Sequence, residues 1–75
     1  MSQNLQYNFV GYDTITGLCH SIMTSSYIFD MDGWVQVPVY DGDYEGKYYN
    51  FNGDQKFYHD AEFTQLWEEC PSHNI

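Results

Sequence analysis

Short segments in which hydrophobic and polar residues alternate open the chain, and a period of two is typical of strands with one buried face. The first segment, residues 6–12, predicts a strand with a β-bulge at Gly11, because glycine inside a strand often marks a bulge. Residues 13–17 have the composition of a turn, and residues 18–24 alternate again. We therefore expect the second segment to pair back on the first as an antiparallel hairpin.

Two further strand signals lie in the middle of the chain. Residues 34–40 are β-branched and aromatic, but Pro38 lacks a backbone donor, which restricts this strand to an edge or ends it. Residues 47–51 and 54–58 flank the Asn-Gly pair at 52–53, which tolerates the positive φ angles of a type I′ turn. The pattern predicts a second hairpin with its turn at this Asn-Gly pair.

The segment of residues 61–69 fits two structures. Asp60 is a suitable N-cap for a short helix, and such a helix would place Phe63, Leu66 and Trp67 on one face. The same residues also fit an extended conformation. The sequence leaves both structures open.

The fold class that these segments predict is mainly β. We expect a single small domain over residues 1–70, formed as an antiparallel meander of β-hairpins, with a short C-terminal helix as one form of its last segment. Pro71 ends regular structure, so residues 71–75 are expected to form a loose tail.

Composition adds two opposing signals. Fifteen of the 75 residues are aromatic, eight of them tyrosine, while eleven acidic residues face two lysines and give a net charge of −9. Such a charge favours disorder in a short chain, whereas aromatic side chains bury large apolar areas and supply a core. We expect an ordered domain whose small core makes it marginally stable and dependent on a partner or on oligomerisation.

The metal-binding and redox side chains are scattered. Cys19 and Cys70 form no CxxC motif, and His20, His59 and His73 share no spacing typical of a zinc site or a catalytic triad. In a reducing compartment two thiols are the expected state, and a disulfide between them is the alternative. No cofactor is expected.

An acidic loop is the one candidate metal site. Asp41, Asp43 and Glu45 supply oxygen side chains at the first, third and fifth positions, and Gly46 stands at the sixth, as in a calcium loop. The position that should supply a bidentate glutamate is Asn52, within the predicted hairpin turn. A solvated acidic loop is therefore the alternative to calcium binding.

Several function classes are disfavoured by composition and size. Phosphate contacts need clustered basic residues, and the chain has only Lys47 and Lys56, so direct nucleic-acid binding is not expected. The sequence has no apolar stretch long enough to span a membrane and no signal peptide at its start, which predicts a cytoplasmic location without membrane insertion. A chain of this size builds few walls around an active site, so we expect no enzymatic activity.

The aromatic residues predict a contact surface as well as a core. Strand residues point to alternate faces, so the run from Tyr44 to Tyr58 cannot turn every ring inward. Exposed tyrosines beside carboxylates suit protein contacts better than sugar recognition in a module short of core. The predicted interaction surface is Trp34, Tyr44, Tyr48, Tyr49, Tyr58 and Trp67. The residues expected to serve core and contact are Trp34, Val35, Val37, Tyr48, Phe51, Phe57, Phe63 and Trp67.

The order of the segments resembles a known group of proteins. The motifs are G-Y-D-T-I-T-G-L-C at 11–19, W-V-Q-V-P at 34–38 followed by Tyr40 and Asp41, G-K-Y-Y at 46–49, Gly53, and Phe57 with Tyr58. Together they are similar to small β modules of tail and other virion-associated proteins of tailed bacteriophages, over most of residues 11–58. The additional residues 60–75 depart from that pattern.

The resemblance implies a structural role. The chain would be a non-enzymatic virion subunit of the tail, fibre, baseplate or head, assembled in the host cytoplasm. It would dock on larger virion proteins, and it would occur as a homo-oligomer or as copies repeated by the particle's symmetry.

Two other functions remain open at the level of sequence. The negative charge also suits an inhibitor that mimics nucleic acid, such as an anti-restriction or anti-CRISPR protein, although the acids cluster in turns where aspartate is common anyway. A calcium-dependent binder of sugars or of a host surface would use Asp41, Asp43 and Glu45.

Overall fold

The computed structural model describes residues 6–73. Within that range the chain forms two antiparallel sheets and two short 3₁₀ turns, so the predicted mainly β fold class is confirmed. The strands are β1 (Tyr7–Tyr12), β2 (Cys19–Ser25), β3 (Trp34–Val37), β4 (Tyr48–Tyr49) and β5 (Phe57–Tyr58), and the 3₁₀ turns are Gly42–Tyr44 and Pro71–His73.

The first hairpin forms as predicted. β1 pairs antiparallel with β2, Val10 lies opposite Ile22, and the register shifts between Gly11 and Tyr12, which confirms the bulge. The connecting turn is closed by a hydrogen bond from the Gly17 N–H to the Asp13 carbonyl, at 2.8 Å.

β3 completes the first sheet on the far side of β1, which gives the order β2-β1-β3. In a simple meander β3 would pair with β2, so the strand order differs from the predicted one. β3 is an edge strand and ends at Val37, directly before Pro38, as the missing proline donor requires.

The second hairpin forms, but the predicted turn is wrong. β4 pairs with β5, with Tyr49 opposite Phe57. Residues 50–56 connect them as a wider loop, in which the Asn50 carbonyl accepts from the Gly53 and Gln55 N–H groups at 3.2 and 2.9 Å. The positive φ angle falls at Gln55, with a value of 60°, and not at the Asn-Gly pair.

Tertiary packing explains this wider loop. The ring of Phe51 stacks on the ring of Tyr12 with 5.3 Å between centroids. Phe51 thus packs against the first sheet, and the β4–β5 ladder ends at the Tyr49–Phe57 pair.

Of the two structures left open for residues 61–69, the helix after Asp60 does not form. The Asp60 carboxylate accepts from the Thr64 and Gln65 N–H groups at 3.0 and 2.9 Å, and Phe63 adopts a left-handed φ of 57°. These bonds close a loop instead of capping a helix. The chain then runs beside β5, where the Trp67 N–H donates to the Phe57 carbonyl at 2.9 Å.

The start of the predicted loose tail is packed against the domain. Pro71 and Ser72 are half-buried, and the Ser72 hydroxyl lies 2.7 Å from the hydroxyl of Tyr44. The tail prediction is therefore wrong for these two residues, because a buried tyrosine hydroxyl needs a partner and Ser72 provides it. Asn74 and Ile75 lie outside the described residues.

One face of the first sheet forms the main core. Val10 and Val37 are buried there, and Tyr12, Ile22 and Val35 pack against the cluster. The remaining buried members of the cluster come from the second half of the chain and from the start of β2: Cys19, Tyr44, Tyr49, Phe57, Trp67 and Cys70.

Candidate interaction surface

The other face of the first sheet carries a separate group of apolar side chains. Phe9 alternates with Val10 along β1 and therefore points away from the main core. It is 2 % exposed, yet it lies outside the core cluster. Met23 on β2 stands directly opposite Phe9, on this same face.

The connection between β2 and β3 folds over this face. The ring of Phe29 stacks on Phe9 with centroids 4.2 Å apart. Phe29 also contacts Tyr27 and Trp34, at centroid distances of 6.0 and 6.3 Å. A small aromatic cluster centred on Phe29 thus covers part of the sheet.

Gly11 makes room for Trp34 in this cluster. A Cβ atom at position 11 would lie 3.0 Å from two carbons of the Trp34 ring and 3.2 Å from Cε1 of His20. Because glycine has no side chain, the indole can lie against the centre of β1. The glycine that the sequence marks as a bulge is therefore also a packing site.

The cluster leaves an open apolar groove, which we call the outer groove. It has a volume of about 250 Å³ and is lined by Met23, Tyr27, Phe29, Met31 and Trp34. Tyr27 and Met31 are 65 % and 59 % exposed, although both are large apolar side chains. Exposed apolar side chains gathered around a concavity are typical of a contact surface.

Acidic side chains accompany the outer groove. Asp30 and Asp32 are exposed and alternate along the chain with the lining residues Phe29 and Met31. The two lysines directly precede the strands of the second sheet: Lys47 places its Nζ 4.6 Å from the Trp67 ring centroid, and Lys56 ends the loop of residues 50–56. The segment that forms the groove therefore presents negative charge and apolar surface together.

Half of the predicted interaction surface is wrong. Tyr44, Tyr49 and Trp67 are 0 %, 7 % and 5 % exposed. The Tyr44 ring packs edge-on against Trp67 at 5.1 Å between centroids, which makes both of them core. A chain this small needs its largest rings for its interior.

Trp34, Tyr48 and Tyr58 of the same prediction are half-buried. Only Trp34 lines the outer groove. Of the residues expected to serve core and contact, Val37, Phe57 and Trp67 are buried, and the others are half-buried.

Sequence reasoning missed Met23 on β2 and the residues of the β2–β3 connection. Tyr27, Met31 and Met23 line the groove, and Ile28 beside them is 60 % exposed. A signal was available, since Tyr27, Ile28 and Phe29 are three consecutive apolar residues outside a strand, directly before an acidic turn. Such a run cannot be buried completely by one sheet face.

The candidate calcium loop has a different structure. Asp41 is the N-cap of the 3₁₀ turn Gly42–Tyr44, and its Oδ1 accepts from the Asp43 N–H at 2.9 Å. Among residues 6–73, no three His, Cys, Asp or Glu side chains are grouped so that they could hold a metal ion. The carboxylate of Asp41 therefore caps the 3₁₀ turn by accepting a backbone hydrogen bond.

Other aspartates have similar roles. Asp13 accepts from the Ile15 and Thr16 N–H groups, and Asp60 from Thr64 and Gln65. Hydrogen bonds stabilise the charged forms and lower the pKa of both carboxyls, that of Asp60 first through the bond from the Thr64 hydroxyl and then through the two N–H groups. The pKa of Asp54 is also lowered, first by a hydrogen bond from the Tyr58 hydroxyl. Some of the acidic side chains thus stabilise turns through hydrogen bonds to the chain around them.

Cys19 and Cys70 are present as thiols in the same core cluster. The Cys19 thiol donates to the Gly17 carbonyl, with 3.7 Å between sulfur and oxygen. Burial, with a smaller contribution from the nearby Cys70, raises its pKa to about 12. A thiol held neutral in the core is a packing residue at neutral pH.

No described helix is long and apolar enough to cross a bilayer. Comparisons with known proteins give no match: no protein family, no curated sequence and no solved structure is significantly similar to the chain.

Proposed function

We propose that this protein is a non-enzymatic structural subunit of a bacteriophage virion that docks on a larger particle protein through the outer groove. The observation that carries the docking role is the groove itself, an apolar concavity with Tyr27 and Met31 mostly exposed at its sides. A docked partner would remove this apolar surface from water, which is the main driving force of association.

The particle context has a separate basis. It rests on the resemblance of residues 11–58 to small β modules of tail and other virion-associated proteins. In that context the chain is assembled into particles in the host cytoplasm and is repeated by their symmetry. The small core agrees with such a role, because a docked module gains stability from its partner.

The acidic mimic of nucleic acid is the competing function. Its charge must be free to replace phosphates, but Asp13, Asp41, Asp54 and Asp60 accept hydrogen bonds within their own turns. These carboxylates stabilise the turns of the fold, which leaves fewer carboxylates free to bind a partner. The apolar groove also has no counterpart on a phosphate backbone.

Capture from infected cells tests the proposed function. The tagged chain should retain one virion protein, identified by mass spectrometry, and cross-links should map to the β2–β3 connection. A Tyr27→Ser, Met31→Gln double variant should lose this protein, while Tyr40→Ser should retain it. Tyr40 is the matched control because it is 61 % exposed and does not line the groove.

Two results would contradict the proposal. One is capture of a host nucleic-acid enzyme that dissociates in moderate salt, which would support the mimic. The other is absence of the chain from purified particles, measured by mass spectrometry of the virion.

A further inference from the structure

We infer that the partner offers the outer groove a cationic segment with one large apolar side chain, which enters the groove while flanking lysines or arginines face Asp30 and Asp32. This inference rests on the proposed docking function and adds the chemistry of the partner to it.

The residues that line the groove explain why the partner's inserted side chain should be apolar and why side chains of different shape could fit. The groove is bounded by aromatic rings and by the thioethers of Met23 and Met31. Methionine side chains are flexible and polarisable, so they adapt to apolar groups of different shape. A volume of about 250 Å³ is small for a whole peptide and suits one or two inserted side chains.

The charge distribution explains why the flanks should be basic. Asp30 and Asp32 directly follow the lining residues Phe29 and Met31 in the chain, and both aspartates are exposed. Neither carboxylate accepts a hydrogen bond from residues 6–73, in contrast to Asp13 and Asp60. Both are therefore available for an ion pair with a partner.

The same charges disfavour a second copy of this chain as the occupant. In a twofold contact the same patch of both copies meets, so Asp30 and Asp32 would face their own counterparts. Each copy also carries a net charge of −9. A cationic partner removes this repulsion and gains from the opposite charges.

Three matched sets of short synthetic peptides test the inference on the full chain. Each peptide has a central Leu, Phe or Met. The flanks are lysine and arginine in the first set, glutamate and aspartate in the second, and serine and glutamine in the third. A fourth peptide keeps the basic flanks and replaces the apolar residue by serine.

The two tryptophans provide the readout and its internal control. Trp34 lines the groove, whereas Trp67 is 5 % exposed in the main core. In ¹H–¹⁵N spectra the Trp34 indole signal should shift with the basic, apolar-centred peptides, and the Trp67 signal should stay in place. Added salt should weaken this binding, because the ion pairs are exposed.

Two pairs of variants separate the apolar and charged contributions. Met31→Gln should weaken the basic peptides about tenfold, as expected for a central contact residue, and Tyr40→Ser should leave them unchanged. Asp30→Asn with Asp32→Asn should weaken them roughly threefold to tenfold at low salt and flatten the salt dependence. Glu68→Gln with Glu69→Gln is the charge-matched control at exposed positions.

Several outcomes would overturn the inference. They are equal binding of the acidic or neutral peptides, equal binding of the basic peptide without its apolar residue, and no Trp34 shift with any peptide at about 1 mM. A Trp34 shift that grows with protein concentration alone would assign the groove to a second copy. In each case, retention of a virion protein by the tagged chain but not by the Tyr27→Ser, Met31→Gln variant would keep the docking function and reject only the partner chemistry.

Discussion

The hydroxyl of Tyr44 lies 2.7 Å from the Oγ of Ser72, a residue 28 positions later in the chain. Tyr44 is completely buried between Phe57 and Trp67, at centroid distances of 5.0 and 5.1 Å. The bond therefore joins the acidic loop to the end of the described chain across the core, and burial of the phenol raises its pKa above the usual 10.0.

Removal of the Tyr44 hydroxyl should destabilise the domain. In Tyr44→Phe the ring contacts remain and the half-buried Ser72 hydroxyl loses its partner, so we expect a loss of about 1 kcal/mol in the free energy of unfolding. Urea denaturation followed by circular dichroism measures it. Tyr40→Phe, at a position 61 % exposed, is the control, and equal stability of Tyr44→Phe and wild type would contradict the prediction.

Three glycine substitutions should separate backbone strain from steric overlap. Gly42 has open space and no left-handed φ, so Gly42→Ala should change stability by less than about 0.5 kcal/mol. Gly46 has open space but a φ of +92°, so Gly46→Ala should cost about 1–2 kcal/mol. Gly17 has a φ of +84°, and an added Cβ would collide with the Tyr49 carbonyl oxygen.

Gly17→Ala should therefore be the most damaging of the three, with a cost of roughly 3 kcal/mol or more. The Gly17 carbonyl also accepts from the Tyr49 N–H at 2.8 Å, which links the two sheets. Thermal unfolding of the three variants would give their order of stability. A Gly17→Ala variant as stable as Gly46→Ala would show that the backbone shifts to relieve the overlap with the Tyr49 carbonyl oxygen.

Gly11→Ala should move Trp34 without unfolding the domain. The new methyl group would meet the outer end of the indole at 3.0 Å, and a side chain can shift away from it. We expect the Trp34 indole signal to move in ¹H–¹⁵N spectra and the Trp67 signal to stay. Gly42→Ala is the control, and an unchanged Trp34 signal would contradict the packing of this ring on β1.

Stability should fall at alkaline pH because of Cys19. Its folded pKa of about 12 lies above the ordinary thiol value of 9.0, so the neutral buried thiol contributes stability fully below pH 9. This contribution is lost as the pH rises from 9 toward 12, by at most about 1.4 kcal/mol per pH unit for one proton. Tyr49, whose pKa burial also raises, adds to the loss above pH 10.

Cys19→Ala provides the test of this assignment. The variant should be less stable at pH 7, because it leaves a small cavity, and its stability should decline less between pH 9 and pH 10. Urea titrations at these three pH values measure both effects. A wild-type stability that stays constant from pH 8 to pH 10 would show that the thiol titrates equally in both states.

Stability should also fall in acid because of the turn aspartates. The pKa of Asp60 is lowered from 3.8, first by the hydrogen bond from Thr64, so its stabilisation is present above pH 4 and lost as the pH falls through the lowered pKa. Asp60→Asn should therefore show a smaller loss of stability between pH 5 and pH 2 than wild type. Glu62→Gln, at an exposed position two residues away, is the control for the removal of a carboxylate.

Local sequence patterns were sufficient for the elements whose partners are close along the chain. The hairpin of β1 and β2, the bulge after Gly11 and the end of β3 before Pro38 depend on the alternation of side chains and on the backbone properties of glycine and proline. These signals act over a few residues, so they remain valid in any fold that contains the hairpin.

The errors lie where distant residues compete with local preferences. The Asn-Gly pair at 52–53 favours a two-residue turn, but in the folded protein Phe51 stacks on Tyr12 and a longer loop connects the strands. Asp60 is a good helix cap, but the segment after it packs on β5 and on the core: the Trp67 N–H donates to the Phe57 carbonyl, and Trp67 is buried next to Tyr44. The spacing of residues along the sequence does not indicate that these distant residues come into contact.

The sequence by itself determined a mainly β chain, rich in aromatic residues and strongly acidic. Only the tertiary structure decided which rings became core and which remained on the surface, because burial depends on the two faces of a sheet and on what covers each. One face of the first sheet received the second half of the chain, including Tyr44, Tyr49 and Trp67. Among residues 6–73, the β2–β3 connection covers the other face, and this partial cover leaves the outer groove open.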